Sequence, residues 1–164
     1  MIVRTGFSAS VRPAILLALS IGGVFFIVPK HAEAKESSWN VFIRTVQTEG
    51  DTPYEDFIEI QNDETCALNL SGWKLRKRTE SGTEYPIKTF SETKVILPPS
   101  ETLLWANSEK NFADILHASE QSDETIANDN NAIALIDANN TLVDSLSWGT
   151  VNKPFRSDEP NVRN

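Results

Sequence analysis

Cysteine is almost absent from this chain: Cys66 stands alone among 164 residues. An internal disulfide is excluded, so the fold must hold by packing. Histidine is nearly as scarce, with only His31 and His117 present. Beyond the N-terminal region, a Ser–His–Asp or Cys–His arrangement would have to run through His117, and no Gly-x-Ser-x-Gly corner accompanies it. Zinc favours several His or Cys ligands and would find one of each, far apart in sequence. Basic residues are also in deficit, 15 against 23 acidic, for a formal net charge of −8. That balance favours solubility and disfavours broad binding to nucleic-acid phosphates. No apolar run reaches the roughly 20 residues that a membrane-spanning helix requires.

The apolar run that does exist lies at 14–28. It follows Arg4 and Arg12, is interrupted only by Ser20 in polarity, and ends at Pro29. Ala32-Glu33-Ala34 then places small residues where a signal peptidase reads. A positive start, a short apolar middle and an A-x-A exit predict a secretory signal peptide over 1–34, cleaved after Ala34. The alternative is an uncleaved segment acting as a membrane anchor. Cleavage would remove Arg4, Arg12, Lys30 and Glu33, leaving 12 basic and 22 acidic residues, a net charge of −10. The expected location is secreted or in the cell envelope.

After a polar linker at 35–40, runs rich in Val, Ile, Leu, Phe, Thr and Trp recur between turn residues. They fall at 41–47, 56–61, 67–70, 73–78, 85–90, 94–97, 102–106, 132–137 and 141–148. Many short strands with regular turn signals predict an all-β sandwich or barrel. The polar stretch 107–131 breaks the pattern. Phe112, Ile115 and Leu116 are spaced for one helical face there, with Ser108 placed to cap it. Residues 150–164 carry charge and proline without periodicity and read as a loose tail.

Alternation within the strands assigns faces. Ile58 and Ile60 share one, and Phe57, Glu59 and Gln61 the other. Gly72 sits at a corner that demands a backbone angle glycine takes cheaply. Trp73 and Leu75 then point inward, which sends Lys74, Arg76 and Arg78 outward together. Asp144 shares parity with Leu142, Leu146 and Trp148. It is therefore either buried and hydrogen-bonded or rotated out by a bulge. Cys66, in register with Leu68 and Leu70, reads as a small buried apolar residue, with an intermolecular bridge as the alternative.

The stretches "EDFIEIQNDETCALNLSGWKL", "ILPPSETLLWA" and "NAIALIDANNTLVDSLSWG" together resemble the lamin-tail domain family. The matching positions are Phe57, Ile58 and Glu59; Leu70, Ser71, Gly72 and Trp73; Leu97, Pro98 and Pro99; and Val143, Asp144 and Ser145. The resemblance covers about 41–149. It implies an immunoglobulin-like β-sandwich without catalytic residues, in bacterial exported proteins an accessory module of the envelope. Glu59, Gly72, Trp73 and Asp144 would then be structural marks of the motif.

The function expected is a non-catalytic exported module binding a protein or envelope component that the sequence does not identify. One alternative is nucleic-acid capture by Lys74, Arg76 and Arg78 with nearby Lys77, opposed by the net charge and by Glu80 and Glu84, placed to pair with them. Another is a hydrolase using Glu55, Asp56 and Glu59, opposed because acids in an acidic domain usually form a solvated face. Membrane contact would come only through an uncleaved leader. "SDETIANDNN" and 137–140 offer oxygen ligands of the kind Ca²⁺ takes, but their spacing matches no EF-hand. Ordinary turn chemistry is preferred and no cofactor is expected.

Overall fold

The computed structural model describes residues 2–3, 39–91 and 93–156. Apart from Ile2 and Val3, the expected leader lies outside the described residues, as do 35–38 of the linker and 157–164 of the tail. Eleven strands are described: β1 (Ile2–Val3), β2 (Val41–Gln47), β3 (Phe57–Asn62), β4 (Leu68–Asn69), β5 (Lys74–Arg78), β6 (Glu84–Thr89), β7 (Ile96–Leu97), β8 (Thr102–Asn107), β9 (Glu120–Ser122), β10 (Asn131–Ile136) and β11 (Leu142–Trp148). One sheet runs β1-β2-β3-β8-β9 and a second β11-β10-β5-β6, with β4 and β7 as a small ribbon. This is the mostly-β sandwich arrangement that the alternating pattern predicts.

The core forms where the inward parities of the two sheets meet. Ile58 and Ile60 of β3, Leu103 and Trp105 of β8, Trp73 and Leu75 beside and on β5, and Ile133 and Leu135 of β10 are all buried there. β10 is buried at every position because both its faces are covered. Its second face, Ala132, Ala134 and Ile136, packs under Phe155.

The long edges are stitched by side chains. On one side, Asp144 Oδ2 of β11 accepts from the Ile43 amide of β2 at 2.9 Å. On the other, the Ser122 hydroxyl of β9 donates to the Ile87 carbonyl of β6 at 2.7 Å and accepts from the Trp105 indole N–H at 3.0 Å. Lys88 and Glu120 add an ion pair at 3.0 Å across that seam.

Several expectations change. β9 was not anticipated, because Glu120-Gln121-Ser122 has no apolar residue; it is held by parallel pairing with β8. The helix is α1 (Phe112–Ile115), a single turn. It rests on Ala113, while Ile115 is 69% exposed, and Ser108 makes no side-chain cap. Cys66 is exposed rather than buried: β4 begins only at Leu68, so strand parity does not reach it. The first residues of the expected loose tail are docked, since Phe155 is 5% exposed and Val151 is half-buried against the same patch.

Candidate functional site

The basic run on β5 was the first candidate surface. Lys74, Arg76 and Arg78 do occupy the face of β5 opposite Leu75, yet they do not form an open cationic stripe. Arg76 Nε donates to Glu84 Oε1 at 2.9 Å, and Arg78 Nη2 reaches Glu84 Oε2 at 3.0 Å. One carboxylate across the β5–β6 pair thus serves two guanidiniums. Lys74 Nζ donates to the Asn140 side-chain oxygen. Arg78 is only 8% exposed. Its guanidinium carbon lies 4.1 Å from the Phe155 ring centroid, and Nη1 donates to the Lys153 carbonyl at 3.0 Å.

The expectation of three cations facing solvent together therefore fails at Arg78. The cause lies outside the local pattern: residues 151–156 return over the sheet as a strap. Asn152 N–H donates to the Glu80 carbonyl at 2.9 Å, and Ser145 Oγ donates to the Phe155 carbonyl at 3.5 Å. Gly82, at φ +81°, is required here, because a Cβ would collide with the Asn152 carbonyl.

The motif residues are where the alternation put them. Gly72 has φ +76° in the turn before β5, and Trp73 is buried in the core. Asp144 resolves its two alternatives by combining them. A bulge pairs Leu135 with Asp144 but Ile136 with Leu142. Asp144 stays on the inward parity, satisfied by the Ile43 amide, while Leu142 turns to the opposite face beneath the strap. Glu59 is half-buried on β3, between Thr45 and Leu104. Trp39, ahead of β2, is exposed but edge-on to Trp73, with ring centroids 5.9 Å apart.

The carboxylates proposed as a hydrolytic pair work separately. Glu55 folds onto its own turn, accepting from the Asp51 amide at 2.9 Å and the Thr52 hydroxyl at 3.2 Å. Asp56 is fully buried and accepts from the Glu49 amide at 2.9 Å and the Ile126 amide at 2.7 Å. Burial pushes its pKa above the ordinary carboxylate value, outweighing the two amides that pull it down. Asp137 Oδ1 likewise caps its turn, accepting from the Asn139 and Thr141 amides at 2.8 Å.

Asp56 ties together the loop after β2 and the loop before β10. Between them opens a cavity of about 300 Å³. Glu49 and Pro53 form one wall, Thr125 and Ile126 another, and Lys77 and Thr79 the third. Lys77 points to this end of the sandwich, with Nζ on Glu124 Oε2 at 2.8 Å and on the Thr125 carbonyl. The Thr48 hydroxyl and the Asn128 side-chain oxygen add a second tie at 3.0 Å, and Asn107 Nδ2 a third, to the Glu124 carbonyl at 2.9 Å. The sequence signal for this site was Asp56 itself, an acid at the head of a strand whose next inward residue is Ile58.

Sequence comparison decides what these features belong to: a family model, the Lamin Tail Domain, matches residues 34–150. The chain belongs to the lamin tail domain family. No curated protein matches it. The match spans both sheets apart from β1, and its upper bound falls just before the strap. Among the described residues, no group of three or more His, Cys, Asp or Glu is placed to hold a metal. The buried acids of this lamin tail domain serve as hydrogen-bond acceptors for backbone amides, which is structural work.

Proposed function

We propose that this lamin tail domain is an exported module that binds a protein or another component of the cell envelope. The observation that carries the reading is the engagement of its charged groups. Asp56 and Asp144 hold backbone amides, and Glu84 pairs with both Arg76 and Arg78. A rigid sandwich with its acids so engaged suits recognition better than proton transfer, which needs a group within reach of a substrate. The nucleic-acid alternative is weakened by the same pairing, since phosphates would have to displace Glu84 and the strap.

Export rests on the leader pattern at 1–34. Cleavage after Ala34 would take only Ile2 and Val3 from the described sheet, at the outer edge of β2. Expression of the full chain in a bacterial host, followed by fractionation and N-terminal sequencing, tests this part. A product outside the cytoplasm that begins at Lys35 supports it. An intact N-terminus on cytoplasmic protein contradicts it.

A further inference from the structure

The cavity between the Asp56-tied loops belongs to none of the surfaces considered above, and its chemistry selects a ligand class. At about 300 Å³ it lies at the small end of ligand pockets. Its neutral polar residues are Thr79, Thr125 and Asn131, and its apolar ones are Pro53, Ile126 and Ala127. Its one cation, Lys77, is already held by Glu124 and the Thr125 carbonyl, so an anion would have to break that pair. Glu49 adds a carboxylate to the rim. An anionic ligand is therefore disfavoured, and a flat apolar one would leave the Thr125 hydroxyl without a partner. The Thr79 hydroxyl is already bonded to Ser81 and Thr83 and keeps only acceptor capacity for a ligand.

A ligand that offers hydroxyls at its edges and C–H groups on its faces matches both surfaces. Tyr85, paired across the strands with Lys77, is 45% exposed, and Lys77 Nζ lies 6.0 Å from its ring centroid. The ring does not line the cavity itself but is the exposed aromatic next to Lys77, which does, and it offers a face to a ligand that extends past that residue. The walls are preorganised by the ties from Asp56, Thr48 and Asn107, which lowers the cost of ordering loops on binding.

We propose that this cavity binds a hexose-sized unit of a polysaccharide, neutral or amino-bearing, with the ring packed toward Tyr85 and hydroxyls directed at Thr79 and Thr125. This rests on the reading of the domain as a binding module and specifies what it binds.

The test is a titration of the ¹⁵N-labelled protein, as it is isolated from the expressing cells, with cellobiose, N,N′-diacetylchitobiose, glucosamine and inorganic phosphate in parallel. The expected result is saturable millimolar binding of at least one of the three sugars, with amide shifts confined to 49–53, 77–85 and 124–131, and none with phosphate. Tyr85→Ala and Thr125→Val, both at exposed positions, should each weaken binding by about 3–10-fold while leaving the rest of the spectrum in place. No saturable shift with any of the sugars, shifts centred elsewhere, or tighter binding of phosphate would overturn the proposal. Turnover of the sugars would instead overturn the non-catalytic reading, so the two failures are separable.

Discussion

The outer face of β5 and the loop end of the same strand use similar residues to opposite effect. On the face, Arg76 and Arg78 share Glu84, and Phe155 closes over Arg78. At the end, Lys77 also has its carboxylate, Glu124, but the surrounding loops, tied at their base by Asp56, leave a cavity between them. Charge density on a strand therefore does not locate a binding site. What matters is whether the neighbouring segments close over the charges, as the strap does, or leave a gap beside them, as the loops do.

The comparison can be broken most forcefully at the loops. Asp56→Ala leaves two amides near the core without their acceptor and should cost about 2–4 kcal/mol, measured by denaturant unfolding. Amide exchange at Glu49 and Ile126 should accelerate more than exchange in β10. A loss below about 0.5 kcal/mol would mean that the loops are held by other contacts.

On the opposite face, Phe155→Ala should cost about 2–3 kcal/mol, since it removes a buried ring and its contact with Arg78. It should also raise the solvent exposure of Ala132 and Ala134, read by amide exchange. An unchanged unfolding midpoint would show that the strap does not seal this face.

A smaller effect comes from pH. The folded-state pKa of Asp56 is raised, so the fold prefers the protonated acid. Its contribution is complete below the unfolded value near 3.8 and is lost as pH rises through the raised folded value. The stability of the wild type relative to Asp56→Asn should accordingly fall as pH increases across that window. A difference that grows with pH would reverse the assigned cause.

The smallest change is expected for Glu84→Gln, about 1 kcal/mol or less, because partly exposed pairs contribute little. A much larger loss would make Glu84 the keystone of the face instead of the strap.

Much of this was legible in the residues because strand parity is a local property. The nine runs rich in β-branched and aromatic residues each became a strand, and Gly72, Trp73 and Asp144 stand where alternation and the turn chemistry place them. What escaped depends on partners distant in sequence. β9 is a strand only because β8 lies beside it. Phe155 looks like an aromatic in a loose tail until Arg78 and the small alanines of β10 give it a seat. Cys66 erred the other way, because parity was extended past the point where the strand begins. The cavity was hidden for the same reason as the strap: its walls come from three separate segments that only the fold brings together.

The most direct test of whether the β5 cations are held within the fold is fluorescence anisotropy of labelled double-stranded DNA and single-stranded RNA against residues 35–164 at low salt. The account predicts no saturable binding to either. Binding that weakens steeply as salt is added, with a shallower salt dependence in Lys74→Ala, would contradict it.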